Sequence, residues 1–229
     1  MQQNSRWHTL ETAEDVAFSA CQHILNAADT AISARGKFKL VLAGGGTPEK
    51  VYRLLAESTA DWANWMIYYG DERCLPADHP DRNSLMASQV LLDKVAIPAA
   101  QIFTMPAELG PEVAAERYRQ TVAEAGMFDM VLLGMGEDGH TASLFPGHQH
   151  QQDQLVHAVY NSPKPPPERV SISAKALSNT RELIFLITGA NKQQAVNQWR
   201  SGQDLPVASI VPENPVDIYI DSDAYKPSI

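Results

Sequence analysis

Four short apolar runs each break off in glycine: FKLVLAG (38–44), WMIYYG (65–70), MVLLG (130–134) and LIFLITG (183–189). Most strands with one wet face alternate apolar and polar residues. Runs that are apolar throughout belong to strands buried on both faces, the usual condition of parallel sheets covered by helices. The intervening stretches carry helical patterns, so the chain is predicted to be α/β, a mostly parallel sheet with helices on both faces.

Residues 11–34 place Val16, Ala20, Ile24 and Ala27 on one helical face, and Gly36 stops that helix. Helices are also predicted over 48–58, with Pro48 at the first helical position, over 83–95, over 111–126 with Gly126 as its stop, and over 190–200. QIFTM (101–105) reads as a further strand. LVHAVY (155–160) and RVSIS (169–173) read as strands flanking SPKPPPER, whose consecutive prolines exclude a helix or a central strand and indicate a stiff loop. VASIV and VDIYID are expected to add two short strands near the end, while DAYKPSI carries no clear signal. There is no internal repeat and no long linker. Residues 1–229 are therefore expected to form a single α/β domain, with room for a small additional lobe.

Composition narrows the function. Hydrophobic residues make up 44% of the 229, enough for a core, yet no apolar run approaches the ~18 residues of a membrane span. The N-terminal MQQNSRWHTLETAED lacks a signal-peptide pattern. Cys21 and Cys74, the only cysteines, sit in no C-x-x-C arrangement and read as free thiols of a reducing compartment. The expectation is a cytoplasmic protein with no membrane partner. A net charge of −9 argues against nucleic acid as a partner, but not against an anionic small molecule held by a few local cations.

Ligands of parallel α/β sheets sit beyond the carboxyl ends of the strands, which directs attention to four loops. In GGGTPEK (44–50), Gly44, Gly45 and Gly46 let backbone N–H groups approach a ligand, and Thr47 is a candidate N-cap of the following helix. Such a helix start attracts phosphate, though the same glycines also suit a plain strand–helix turn. GDERCLPADHPDRNS (70–84) sets Asp71 and Arg73 directly beyond a strand. Arg73 suits a phosphate or a developing oxyanion, and a salt-bridged surface loop is the alternative. Its carboxylates and His79 fit no standard metal geometry.

GMGEDGHTASLFPG (134–147) contains G-x-G-x-x-G, but Pro146 and Gly147 would cut any helix starting near Thr141 to under two turns, so a dinucleotide site is disfavoured. What remains is a glycine turn presenting Asp138 and His140, with His140 as candidate general base and Asp138 to orient it. In GANK (189–192), Lys192 sits in the first turn of a helix, against the dipole preference. An anion held between that helix start and Lys192 would explain it; a solvated lysine is the alternative.

Taken in order, AGGGTPEKVY, GDERCLPADHPDRNS, GMGEDGHTASLFPG, SPKPPPERVSIS and LITGANK resemble the 6-phosphogluconolactonases of the pentose phosphate pathway, over roughly residues 38–200. DGHTASLFPG with SPKPPP is specific to that family. GGxTP, DER and GxxK are shared with glucosamine-6-phosphate deaminases, in which D-G-H is followed by an I-A-F-N-E-P type sequence. The resemblance implies a Rossmann-like sheet of the deaminase/isomerase type and hydrolysis of 6-phospho-D-glucono-1,5-lactone. It makes His140 the base, Arg73 a ligand of the oxyanion or of the phosphate, and Lys192 with the Gly44–Thr47 backbone the phosphate site. Asp71 is a further substrate-binding candidate, and Lys164 and Arg169, flanking the prolines, are lids over the substrate. No metal or organic cofactor is implied, and the chain is expected to be a monomer or small homo-oligomer. The family commonly has serine at the positions of Gly46 and Ala43, which puts individual phosphate contacts in question. A deaminase-like isomerase and a non-catalytic sugar-phosphate sensor are the rival functions.

Overall fold

The computed structural model describes residues 3–149, 151 and 153–226; the first two residues of the N-terminal segment and the last three of DAYKPSI lie outside them. In chain order the elements are β1 (Ser5–Leu10), α1 (Ala13–Arg35), β2 (Phe38–Leu42), α2 (Gly46–Ala56), β3 (Trp65–Tyr69), β4 (Asp71–Arg73), α3 (Asn83–Val90), α4 (Pro111–Ala125), β5 (Phe128–Gly134), β6 (Val156–Val159), β7 (Arg169–Ile172), α5 (Ala174–Ser178), β8 (Thr180–Ile187), α6 (Gln193–Arg200), β9 (Val216–Asp221) and α7 (Ser222–Tyr225), joined by short 3₁₀ turns.

Six strands form one sheet in the order β1-β9-β8-β5-β2-β3. Every pairing in it is parallel. From β2 the chain moves outward to β3, whereas β5, β8 and β9 build in the opposite direction. The reversal therefore falls between β2 and β5, and a crevice opens there at the strand ends, the usual ligand position in such sheets. A second sheet, β4-β7-β6, is antiparallel. The chain crosses from one sheet to the other at Gly70, whose N–H donates to the Leu42 carbonyl of the first while its own carbonyl accepts from Ile172 of the second. Asp71 and Arg73 thereby enter the wall of the crevice. One continuous apolar cluster runs under both sheets and includes Leu40, Val131 and Phe185 of the first and Val170 and Ile172 of the second.

Local chemistry explains the longest helix. Thr12 caps α1, its hydroxyl accepting from Asp15 N–H while the Asp15 carboxylate accepts from Thr12 N–H. Gly36 closes it in the left-handed conformation with φ of 75°. Val16, Ala20, Ile24 and Ala27 are buried as the periodicity requires. Two buried tyrosines pin the strand ends beside the crevice. The Tyr52 hydroxyl donates to the Ala43 carbonyl and accepts from Ala43 N–H, and the Tyr118 hydroxyl accepts from Tyr69 N–H.

Several boundaries differ from the sequence expectations. QIFTM forms no strand of its own: residues 99–101 are a 3₁₀ turn, and only an Ile67–Ile102 bridge extends the edge of the sheet. VASIV is not a strand, because Pro206 opens a 3₁₀ turn over Pro206–Ser209 that packs behind the 134–147 loop, with Val207 N–H donating to the Gly139 carbonyl. The helix expected over 83–95 ends at Val90 and gives way to a 3₁₀ turn over 92–94. The helix expected over 190–200 opens with a 3₁₀ turn, and α6 proper begins after Lys192. No helix begins at Thr141; residues 141–144 close a turn instead, with Ala142 at φ of 47°. Residues 5–10, to which the pattern assigned nothing, form the edge strand β1. No helix among the described residues is long and apolar enough to cross a membrane.

Where β9 meets the edge strand β1, Asp217 is buried and accepts from Arg6 Nε (2.8 Å) and Nη2 (2.5 Å), and its Oδ1 lies 2.6 Å from His8 Nε2. Burial pushes the Asp217 carboxyl up, but the hydrogen bonds of Arg6 and His8 outweigh it and hold it below the usual aspartate range. A carboxyl lowered by folding stabilises the fold above its unfolded pKa, and that contribution is lost as pH falls through the folded value. Asp217→Asn is expected to lose about 1–2 kcal/mol at neutral pH, discounted because Arg6 is solvated. The gap to wild type should close below about pH 4. Urea titrations at several pH values check this, and a gap independent of pH would contradict it.

Candidate active site

The loops beyond β2, β3, β5 and β8 meet around one cavity of about 500 Å³. Gly44, Gly45, Gly46, Thr47, Asp71, Arg73, His140, Lys164, Arg169 and Lys192 all line it. Asp138 is not in the lining but lies behind His140, its Oδ1 2.5 Å from His140 Nδ1. The structure thus brings every sequence-selected residue to one place, and refines what several of them do.

Beyond β2, α2 begins at Gly46 with Gly45 as its N-cap, and no side chain caps it. Thr47 is therefore inside the first turn rather than the cap, and Pro48 is the third helical residue rather than the first. The Thr47 hydroxyl instead lies 2.7 Å from the Thr188 hydroxyl, tying this helix start to the end of β8. Gly44 is required by packing, since a Cβ there would overlap the Asn83 side chain. The uncapped helix start keeps N–H groups and the positive end of the dipole facing the cavity.

Beyond β3, the DER triplet divides its labour. Glu72 is fully buried and structural: its carboxylate accepts from the N–H groups of Arg73, Asn83 and Ser84, capping α3, and lies 3.1 Å from Arg82 Nε. Asp71 accepts from the Ser143 hydroxyl (2.6 Å) and from Asn83 Nδ2 (3.2 Å), and is 3.9 Å from Arg169 Nη1. It interlocks β4, α3, β7 and the loop carrying His140. Arg73 donates to the Asp81 carbonyl (2.5 Å), and no carboxylate among the described residues pairs with its guanidinium. Asp78, His79 and Asp81 fall outside the cavity lining. Among the described residues no cluster of histidine, cysteine and carboxylate side chains is arranged to hold a metal ion.

Beyond β5, Gly139 N–H donates to the Gly136 carbonyl and closes a turn, and Gly136 N–H donates to the His140 carbonyl. Gly139 has φ of 80°, which a side chain rarely adopts. The Asp138 carboxylate accepts from His140 N–H (3.2 Å) and meets the ring nitrogen Nδ1. Burial pushes this carboxyl up, but His140, through its charge and its backbone and ring hydrogen bonds, prevails and holds it below the usual range. The charged carboxylate fixes Nδ1 as the donor and leaves the Nε2 lone pair available. The imidazole also packs against Phe145, ring centroids 4.7 Å apart.

Arg169 lines the cavity beside the strap. It is buried, and its guanidinium grips the carbonyls of Lys164, Pro165 and Pro166. It also lies over the Phe145 ring at 5.6 Å. Ser162 closes the same strap by donating to the Lys164 carbonyl. The Pro165–Pro166 peptide is cis. The strap is held in place, with Lys164 at its rim. Beyond β8, Asp221 accepts from Gly189 N–H (3.0 Å) and from Ala224 N–H, so the last strand fixes the loop that carries Lys192. Burial lowers the Lys192 ammonium below the usual lysine range.

Asn83, Glu137, Thr188 and Asp221 escaped the sequence reading. Asn83 and Thr188 are short polar residues with no motif of their own, and Asp221 acts across 32 residues of sequence. Glu137 stands next to Asp138 and was visible in GMGEDGH, but its partners lie on two other loops.

Gly136 abuts the dyad: a Cβ there would overlap His140 and the Asp138 carboxylate. Gly136→Ala is expected to cost about 1–3 kcal/mol in chemical denaturation and to shift the His140 ring resonances. Unchanged stability and resonances would show that the loop has room the packing denies it.

A sequence model of the family described as glucosamine-6-phosphate isomerases/6-phosphogluconolactonase matches residues 11–219. The chain is similar to the 6-phosphogluconolactonase of Nostoc sp., 39% identical over 186 residues, 76% of either chain. It is 36% identical over 208 residues to the probable 6-phosphogluconolactonase 3, chloroplastic, of rice, covering 82% of this chain. It spans only 63% of the length of that rice relative. The solved 6-phosphogluconolactonase of Thermotoga maritima superposes with a TM-score of 0.89 at 28% identity, covering 95% of this chain and 100% of that one. With the sheet, the crevice and nearly the whole length matched, the chain belongs to the glucosamine-6-phosphate isomerase/6-phosphogluconolactonase family.

Proposed function

We propose that this chain hydrolyses 6-phospho-D-glucono-1,5-lactone to 6-phospho-D-gluconate in the oxidative pentose phosphate pathway. One observation carries the reading: a carboxylate-oriented imidazole, His140 on Asp138, opens into the same cavity as an uncapped helix start and Lys192. The first is suited to moving a proton, the second to holding a phosphate.

In this mechanism the phosphate rests on the N–H groups at Gly45–Thr47 and on Lys192. His140 Nε2 takes a proton from a water as that water attacks the lactone carbonyl carbon. The carbonyl oxygen gains charge and is stabilised by Arg73, a cation that no carboxylate among the described residues neutralises. Collapse of the tetrahedral intermediate breaks the bond to the ring oxygen, which receives the proton held on His140. Asp138 stays ionised throughout and stabilises the imidazolium. Arg169 acts by holding the strap, and Asp71 by holding the loops together and offering a carboxylate to the substrate's hydroxyls. The lactone carbonyl is itself electrophilic, so these groups suffice for hydrolysis. The names of several relatives, among them those of Nostoc and rat, support the substrate. Cys21 and Cys74, both unpaired, support a cytoplasmic setting.

The test couples freshly generated lactone to 6-phosphogluconate dehydrogenase and reads the rate above spontaneous hydrolysis. Wild type is expected to accelerate the reaction. His140→Ala should lower kcat by about 100- to 10,000-fold with little change in substrate affinity, and Lys192→Ala should chiefly raise KM, by about tenfold. Full activity of His140→Ala would remove the base from the mechanism. Ammonia release from glucosamine 6-phosphate in place of lactone hydrolysis would replace the reaction itself.

A further inference from the structure

The turn that aims Asp138 at His140 sends the preceding side chain the other way. Residues 137 and 138 are the two corners of the turn closed by Gly139 N–H on the Gly136 carbonyl. Glu137 projects from that corner to the cavity rim, where its Oε1 pairs with Lys164 Nζ of the strap and its Oε2 lies 3.8 Å from Lys192 Nζ. All three side chains line the cavity. Lys192 is the more enclosed of the cations, with 19% of its side chain exposed against 37% for Lys164. One carboxylate thus spans two lysines from two different loops, across the part of the cavity where the phosphate is proposed to sit.

We propose that Glu137 is a built-in counter-anion that competes with the substrate's phosphate for Lys164 and Lys192, and so holds down the affinity for phosphorylated ligands. The proposal rests on the sugar-phosphate reading of the cavity. Its physical basis is that two ammonium groups beside an uncapped helix start repel one another when no ligand is bound. Glu137 relieves that repulsion and leaves one net positive charge. An arriving phosphate offers oxygens of the same kind to the same donors, so it must loosen the Glu137 contacts or sit against a like charge. Either way part of the attraction is offset. The offset acts on the product as well, since hydrolysis leaves its phosphate unchanged, and a weaker hold lets the product go. The Glu137 carboxyl is drawn down to about 2, chiefly by its hydrogen bond with Lys164, so it remains a full anion wherever the enzyme works. Its side chain is half-exposed.

Calorimetric titration of 6-phosphogluconate into wild type and Glu137→Gln tests the proposal. Glutamine keeps a hydrogen-bond acceptor for Lys164 and removes only the charge. The variant is expected to bind about tenfold more tightly, the size of one unit charge at short range in a partly solvated site. The gain should vanish when Lys164 and Lys192 are both replaced by Met as well, because the competition runs through those two ammonium groups. Affinity unchanged or weakened by Glu137→Gln would overturn the proposal and make the residue a tie for the strap. A gain that persists without either lysine would also overturn it, since charge competition at those ammonium groups could not be its source. If neither protein binds 6-phosphogluconate, the sugar-phosphate reading itself fails and this inference falls with it.

Discussion

The reversal of strand order between β2 and β5 is the constraint from which the site follows. In a parallel sheet every strand ends on the same side, so the loops that follow them share one rim. Where the order reverses, the connections on either side lead away from each other and leave the rim open. Gly44–Thr47 follows one strand of that pair and Gly134–His140 the other, which brings the helix start and the imidazole to the two sides of a single opening. Gly70 then lets the chain leave the first sheet and build a second wall, from which Asp71 and Arg73 reach the same space.

The crevice is kept open by polar groups satisfied in pairs. Tyr52 and Tyr118 take up backbone groups at the strand ends, Glu72 caps α3, and Asp71 ties β4 to α3 and to the loop carrying His140. Buried groups of this kind cost stability when unpaired and confer rigidity when paired. The positive groups are handled differently. Arg169 donates to the strap carbonyls and Lys164 pairs with Glu137, while Arg73 has no carboxylate partner among the described residues and no side chain caps the start of α2. Spare positive potential therefore collects inside the cleft of a chain whose net charge is −9.

Much of this was legible in the sequence, and for a physical reason. Buried parallel strands must be apolar on both faces, so β2, β3, β5 and β8 stand out as runs, and their terminal glycines mark the loops that meet at the site. His140, Asp138, Arg73 and Lys192 could be chosen from those loops without knowing the fold. Features that rest on pairing between distant segments were less accessible. β1 is an edge strand of mixed polarity that pairs with β9, some 200 residues away, so no local period announces it. VASIV has the composition of a strand, yet Pro206 and the need to buttress Gly139 turn it into a 3₁₀ segment. Arg169 flanks the prolines and reads as a lid residue, but only the folded strap reveals that its Nε and Nη2 donate to the strap carbonyls.

The central claim is an orientation: phosphate at the start of α2 and at Lys192, reacting carbon at His140. A crystal structure with 6-phosphogluconate bound tests it most directly. That orientation puts phosphate oxygens on the N–H groups of Gly45–Thr47 and on Lys192 Nζ, with the product carboxylate between His140 and Arg73. A product lying the other way round, its phosphate on Arg73 and its carboxylate at the start of α2, would contradict the mechanism and the role given to Glu137 together.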